Sequence, residues 1–144
     1  MMRAPRDAQK EQRLTPEQVE ALMPYGSELS LQTGDVLFDE RSVVDSFYVV
    51  LDGEIGISRL DGAEEIPLET HGAGEFTGGL AVLTGRTSIH RARAGAPSLL
   101  LEVDSETFRR VAVELPDVAD VFISGLARRM RYTQRAYRQQ EKLA

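Results

Sequence analysis

Short apolar segments separated by glycine turns occupy residues 28–103, and they restrict the fold of this chain more than any other feature. Leu29 and Leu31 alternate with polar neighbours, and residues 47–51 form a continuous apolar run. A turn signal recurs roughly every 8–12 residues. Strands this short and closely spaced are typical of sandwiches and barrels, because parallel strands need long crossover connections. The sequence therefore predicts a mainly β domain.

One tight hairpin is predicted at the dipeptide Asp61-Gly62, which is typical of two-residue turns between antiparallel strands. It joins the apolar residues 55–57 to residues 66–68. In this interpretation Glu64 and Glu65 lie in the turn.

A short helix is predicted ahead of the strands. Thr15 is a suitable N-cap, Pro16 stands at the first helical position, and Gln18 can close a capping box. The helix should extend to about Met23. Its inward-facing residues are expected to be Val19, Leu22 and Met23.

The last quarter of the chain is predicted to be helical. Asp104 can cap a helix over residues 105–114, Pro116 breaks it, and a second helix should begin at Asp117 and continue past Arg128. Residues spaced four apart place one apolar stripe on this second helix. The stripe consists of Val118, Phe122, Leu126 and Met130.

Composition excludes several kinds of site. The 144 residues include no cysteine, which excludes thiol catalysis, disulfides, iron–sulfur clusters and cysteine-based zinc sites. Only His71 and His90 could serve as histidine ligands, so no metal site and no cofactor is predicted. No nucleophile is accompanied by a base, so we do not expect an enzyme.

Charge is unevenly distributed along the chain. Residues 14–127 carry a net charge of −13, whereas residues 1–13 carry +2 and residues 128–144 carry +5. No apolar run approaches the ~18 residues that span a bilayer, and residues 1–13 show no signal-peptide pattern. We therefore expect a cytoplasmic protein with no membrane contact, whose residues 1–13 form a mobile tail.

A glycine-rich segment, residues 78–88, is the candidate ligand-binding segment and is called the cassette below. Exposed backbone amides after its glycines, at the start of a short helical turn, suit an anion, and a basic residue and two hydroxyls follow. A phosphate-sized ligand fits this set of donors. Alternatively, the glycines only permit a tight turn and Arg86 is a solvated surface residue. The predicted ligand-binding residues are Gly78, Gly79, Leu80, Ala81, Arg86, Thr87, Ser88 and His90.

The order of predicted elements resembles that of the cyclic nucleotide-binding domain family, found in catabolite-activator-type regulators and kinase regulatory subunits. The matching text is Gly34-Asp35-Val36-Leu37-Phe38, residues 45–55, Gly74-Glu75-Phe76 and residues 78–94. The resemblance covers residues 14–131. It implies a double-stranded β-helix (jelly-roll) barrel with an N-terminal helix and two C-terminal helices, and cyclic AMP as the ligand.

The cassette departs from the pattern of this family in one residue. The resemblance, after a one-residue insertion at Thr77, puts Gly79 where the family has the glutamate that accepts a hydrogen bond from the ribose 2′-hydroxyl. Losing a charged acceptor costs roughly 1.5–3 kcal/mol, or about ten- to a hundredfold in affinity.

The family's phosphate-binding arginine can be aligned in two ways. It falls on Ser88 if the cassette keeps its common length, and on Arg86 if the cassette is two residues shorter. The first alignment is favoured slightly, because it places the small Ala94 before the turn at residues 95–97. In both, His90 is expected on a strand lining the barrel near the cassette.

Residues 74–78, 83–86 and 91–94 look closest to the subgroup of these domains fused to thioredoxin-reductase-like flavoenzymes. A flavoenzyme or another protein is therefore a candidate partner. Regulators of the family continue into a helix-turn-helix that is not present here, so direct DNA binding is not expected. The arginines of residues 128–144 are spread around their helix, which favours a solvated end or a homodimer surface.

Five further acidic or basic positions are interpreted as structural. His71 is assigned to a loop, and His90 is as well explained by a hydrogen bond within the core as by a ligand. The carboxylates of Glu64, Glu65 and Glu69 are expected to form a solvated face.

Two functional hypotheses result for residues 14–127, with residues 1–13 as a tail and residues 128–144 as a basic C-terminal helix extension. The first is a sensor domain that binds a small phosphate-containing ligand and signals through the C-terminal helix. The second is a degenerate domain that binds no nucleotide and acts in protein interaction or dimerisation. Gly79 favours the second hypothesis.

Overall fold

The computed structural model describes residues 13–79, 85 and 87–128. Within these residues, two four-stranded antiparallel sheets pack face to face and helices precede and follow them in the chain. The predicted mainly β, jelly-roll architecture with one N-terminal and two C-terminal helices is confirmed.

Eight strands form the two sheets of the described chain: β1 (Ser27–Leu31), β2 (Val36–Phe38), β3 (Ser46–Asp52), β4 (Ile55–Asp61), β5 (Glu64–His71), β6 (Phe76–Thr77), β7 (Arg91–Ala94) and β8 (Ser98–Asp104). The first sheet has the order β1-β8-β3-β6 and the second has the order β2-β7-β4-β5. Because sequence neighbours are divided between the sheets, the strands cross repeatedly between the two layers, as in a jelly roll.

The β4–β5 hairpin is present, but its turn is shorter than the sequence suggested. Asp61 pairs directly with Glu64, so Glu64 and Glu65 belong to β5 and the prediction that they form the turn is wrong. Ser58 pairs with Pro67, but its neighbour Ile57 pairs with Glu69, so the register shifts at a one-residue bulge in β5. A one-residue bulge reverses which face the following side chains take.

The alternating side chains of the first sheet divide the interior into two cores. Val50 and Leu100 point toward the second sheet and pack with Ile55, Ala92 and their neighbours; we call this region the inner core. The opposite face of the first sheet packs against the helices, and this region is called the helix-side core. It includes Phe47, Val49, Phe76, Leu101, Val103, Phe108, Phe122 and Leu126.

The N-terminal helix, α1 (Pro16–Leu22), begins and ends close to the predicted positions. Thr15 Oγ1 accepts a hydrogen bond from Gln18 N at 3.2 Å, and Gln18 Oε1 accepts from Thr15 N at 2.9 Å. This reciprocal capping box confirms the prediction. A 3₁₀ turn at Met23–Tyr25 follows, and Leu22 is buried in the helix-side core.

Two helices follow β8. In α2 (Ser105–Glu114), the carboxylate of Asp104 caps the first turn by accepting from Thr107 N at 2.7 Å. In α3, described over residues 116–128, the predicted stripe residues Val118, Phe122 and Leu126 are buried, while Met130 lies outside the described residues. None of the helices described here is both long and apolar enough to span a membrane.

The chain ahead of α1 contacts the turn before β6. Leu14 N donates to Gly74 O at 2.8 Å, and Arg13 Nη2 lies 3.1 Å from the buried carboxylate of Glu75. Arg13 is the last residue of the predicted tail, whose other residues lie outside the described part of the chain. The turn that leads into β6 and the cassette is therefore anchored to α1.

Candidate functional site

The cassette begins with a glycine that no other residue could replace without strain. Gly78 follows β6 with a φ of +88°, in the left-handed region. A Cβ at this position would also lie 3.0 Å from Ser46 O and 3.1 Å from Tyr48 Cδ2. The backbone of the cassette therefore starts against the inner-core side of β3.

Gly79, the next residue, is in contact with the C-terminal helix. A Cβ here would lie 2.3 Å from Phe47 Cε1 and 2.9 Å from Leu126 Cδ1. Both side chains belong to the helix-side core and are buried. The direction that a side chain would take at this position is therefore already filled, partly by α3.

Ser88, at the other end of the cassette, is held by main-chain hydrogen bonds. Its Oγ donates to His90 O at 2.7 Å and accepts from His90 N, and its own N donates to Ser42 O at 2.9 Å. The hydroxyl thus has a local role that competes with binding an anion. Thr87 is exposed, and Leu80, Ala81 and Arg86 lie outside the described residues. Their assignment to a ligand site stays a prediction.

Glu69 and His71 form a buried pair on the inner face of the second sheet. Glu69 Oε1 and His71 Nε2 are 2.5 Å apart, and the side chains are 19% and 5% exposed. Their cross-strand partners, Ile57 and Ile55, are buried in the inner core. The predictions that His71 is a loop residue and that Glu69 is solvated are wrong, because the bulge in β5 turns both side chains inward.

His90 lies immediately before β7 and close to this pair. Burial disfavours the imidazolium and lowers the pKa of His90, while the nearby carboxylates of Glu69 and Glu40 oppose that shift. Arg59 and His71 act in the same direction as burial. Glu40 is itself held by Leu60 N, which donates to its Oε1 at 2.6 Å. These residues (Glu40, Arg59, Glu69, His71 and His90) are called the inner polar cluster.

The wall opposite this cluster, on the first sheet, is also partly polar. Ser46 Oγ donates to Glu102 Oε2 at 2.8 Å, and Ser46 is buried. Burial, together with the charge of Glu102, raises the pKa of the Tyr48 phenol. The end of the barrel next to the cassette is thus lined by hydrogen-bonding groups from both sheets.

Arg91 and Arg93 lie on the outer face of the second sheet, while the alternating Ala92 and Ala94 are buried in the inner core as expected. Arg91 Nε and Nη2 donate to both oxygens of Asp39, at 3.0 and 2.9 Å, which lowers the pKa of that carboxyl. Glu65 accepts from Arg91, and its carboxylate lies 3.1 Å from Arg93. Glu65 is therefore ion-paired on the outer face, where its side chain is 31% exposed.

Within residues 13–79, 85 and 87–128, no three His, Asp or Glu side chains are arranged to hold a metal ion. The sequence analysis predicted the cassette but did not place Glu69, His71 and Glu40 in the barrel interior. Counting residues forward from the hairpin turn could not have placed Glu69 and His71, since the bulge adds one residue to β5.

Comparisons with known proteins agree with this architecture. A sequence model of the family described as "Cyclic nucleotide-binding domain" matches residues 28–114, more than half of the chain. The global nitrogen regulator of Synechococcus elongatus is 27% identical over 106 residues, which are 72% of this chain and 48% of that protein. The chain thus spans about half the length of this curated relative.

Two solved structures are similar in fold and sequence. The catabolite activator protein of Thermus thermophilus matches with a TM-score of 0.77 and 26% identity, covering 89% of this chain and 61% of that one. The N-terminal domain of a transcriptional regulator from Streptomyces coelicolor matches with a TM-score of 0.65 and 29% identity, covering 85% and 86%. The closer resemblance to flavoenzyme-fused domains stays a prediction. The chain belongs to the cyclic nucleotide-binding domain family.

Proposed function

We propose that this chain is a ligand-sensing regulatory module that binds a small phosphate-containing ligand, a cyclic nucleotide, at the cassette and signals through α3. The observation that carries the proposal is the contact of Gly79 with Leu126, which joins the start of the cassette to the C-terminal helix. The predicted flavoenzyme or other protein partner would receive this signal.

The cassette has two connections to α3. Phe76, two residues before Gly78, stacks edge-on against Phe122 with ring centroids 4.5 Å apart. Gly79 lies against Leu126, one helical turn further along. Packed interiors do not deform continuously, so a shift of the cassette backbone must be taken up by the position of the helix. A ligand that prefers one cassette position would therefore shift the helix between states.

The ligand side of the proposal depends on the backbone and on Arg86. Gly78, with a φ of +88°, starts the cassette against the inner-core side of β3, and the main-chain amides that follow it would donate to the phosphate. Arg86 would supply the phosphate counter-charge. We assign no residue of this chain to the ribose contact that the family's glutamate provides.

Isothermal titration calorimetry of the purified protein with cyclic AMP, cyclic GMP and AMP tests this function. We expect binding of at least one cyclic nucleotide, and Arg86→Ala should weaken it by about tenfold or more. Arg110→Ala is the matched control, since Arg110 is exposed on α2 and pairs only within that helix and with Tyr25 among the described residues. Equal affinities of wild type and Arg86→Ala would remove Arg86 from the site.

A degenerate interaction module is the second candidate, because the place of the missing glutamate is filled by packing. Phe122 and Leu126 cannot take part in a dimer surface, because both side chains are buried within the chain. Exposed apolar side chains on the two C-terminal helices, Val113 and Ile123, are better candidates. Light scattering should then show a dimer that Ile123→Asp dissociates and the neighbouring Ser124→Asp does not. A monomeric wild type would contradict dimerisation.

A further inference from the structure

The inner polar cluster lies beside the apolar side chains of the inner core. Glu69 and His71 stand in one row with Ile57 and Ile55 of β4, and the row continues to the small side chains of Ala92 and Ala94. Aliphatic residues at positions 69 and 71 would complete the inner core. The chain instead places a carboxylate and an imidazole there.

Burying these groups does little for stability. Removing a carboxylate and an imidazole from water costs free energy that their mutual contact only partly offsets, and apolar pairs of similar size are often at least as stable. Ionisable groups that remain in such positions are candidates for ligand contacts. His90 connects this pair to the cassette, because it lies two residues after Ser88.

The carboxylate of Glu69 selects which part of a ligand can lie against it. Burial holds the pKa of His90 below its ordinary value, so the ring is neutral near pH 7. Two carboxylates, Glu69 and Glu40, and two basic side chains, Arg59 and His71, act on this ring. A phosphate would be repelled by the carboxylate of Glu69, whereas a group rich in N–H donors would be attracted. The N–H donors of a nucleotide are on its base.

We propose that Glu69 recognises the base of the bound nucleotide and selects guanine over adenine; this inference rests on the proposed function. Guanine presents two adjacent donors, N1–H and the 2-amino group, which match the two oxygens of a carboxylate. Adenine presents one donor, the 6-amino group, beside the lone pair of N1. A carboxylate therefore gains two charge-assisted hydrogen bonds with guanine and one with adenine, where the second oxygen faces a like dipole.

His71 acts as a positioning residue in this recognition. Its Nε2 lies 2.5 Å from Glu69 Oε1 and holds the carboxylate against the inner face of β5. A carboxylate can accept about four hydrogen bonds, so this contact leaves further acceptor capacity on Glu69.

Calorimetric titration with cyclic GMP, cyclic IMP and cyclic AMP tests the inference, because hypoxanthine keeps N1–H and lacks the 2-amino group. Wild type should bind cyclic GMP at least about tenfold more tightly than cyclic AMP, with cyclic IMP between them. Glu69→Gln should remove this preference by weakening cyclic GMP while changing cyclic AMP by less than about threefold. Glu64→Gln, on the same strand but exposed, should leave all three affinities unchanged.

Each other outcome overturns the inference in a recognisable way. Equal affinities for the two nucleotides in wild type, or a preference for cyclic AMP, contradict guanine selection while leaving the proposed function intact. A preference that survives in Glu69→Gln assigns selection to another residue. If no nucleotide binds to the folded wild type, the proposed function fails and the inference fails with it. The three affinities of the wild type test guanine selection even if Glu69→Gln does not fold.

Discussion

Replacing Gly79 by alanine tests whether the cassette is packed directly against the C-terminal helix. The added Cβ would lie 2.3 Å from Phe47 Cε1 and 2.9 Å from Leu126 Cδ1. Both neighbours are buried and cannot swing into solvent, and overpacking of this kind costs about 1–3 kcal/mol. Because both distances are below 3.0 Å, we take the upper part of this range, about 2–3 kcal/mol. Alanine regains up to about 1 kcal/mol over glycine in a helix, so the net loss of unfolding free energy should be about 1–2 kcal/mol.

Thermal and urea unfolding followed by circular dichroism measure this loss. For a chain of 144 residues it should lower the Tm by about 3–8 °C. Gly56→Ala is the matched control, because a Cβ on Gly56 has Arg93 O at 3.7 Å as its nearest neighbour. That variant should be as stable as wild type or slightly more stable, by up to about 1 kcal/mol.

A Gly79→Ala protein as stable as Gly56→Ala would refute the close contact. The contribution of α3 to the cost of Gly79→Ala is measured in a double-mutant cycle with Leu126→Ala. Because that change removes one of the two neighbours, Gly79→Ala should cost less in the Leu126→Ala background than in wild type. Strictly additive free energies would show that α3 takes no part.

Two further predictions concern α1 and the inner polar cluster. Thr15→Ala removes the acceptor for Gln18 N and should lower the unfolding free energy by about 1 kcal/mol in urea titrations, whereas Thr33→Ala in an exposed turn should not; equal losses would contradict the capping box. His90 has a pKa lowered mainly by burial, so the unfolded chain binds its proton more readily. The contribution of neutral His90 to the unfolding free energy should be fully present above the pKa of the unfolded chain, about 6.5. It should be lost as the pH falls through the lower pKa of the folded protein. NMR titration of the His71→Gln variant, which keeps one of the two histidines of the chain, should give a pKa below 6.5 for His90, and a value at or above it would contradict this.

Local signals in the sequence predicted most of the fold. The capping box at Thr15, the Asp104 cap and the glycine turn after Asp61 each depend on residues within a few positions of one another. The alternation of Ala92 and Ala94 with arginines likewise placed β7 correctly, with its small side chains inward. Such features follow from local backbone geometry, and no knowledge of the rest of the fold is needed.

The features that the sequence could not supply depend on distant residues or on register. The bulge in β5 moves Glu69 and His71 from the outer to the inner face. Pro67 beside it is compatible with a bulge and equally with an edge strand, so it does not mark the change of register. The contact between Gly79 and Leu126 joins residues far apart in the chain, so the glycine could be interpreted only as a lost ligand contact. Phe122 fits a core or an interface equally well until its ring neighbours are known.

Hydrogen–deuterium exchange with and without cyclic GMP and cyclic AMP tests the central claim most directly, because it reads the cassette and the helix in one experiment. Ligand at saturating concentration should change amide protection both near residues 76–79 and over residues 116–128, since Phe76 and Gly79 contact α3. Unchanged exchange over residues 116–128, with or without protection near the cassette, would contradict a sensor that signals through this helix.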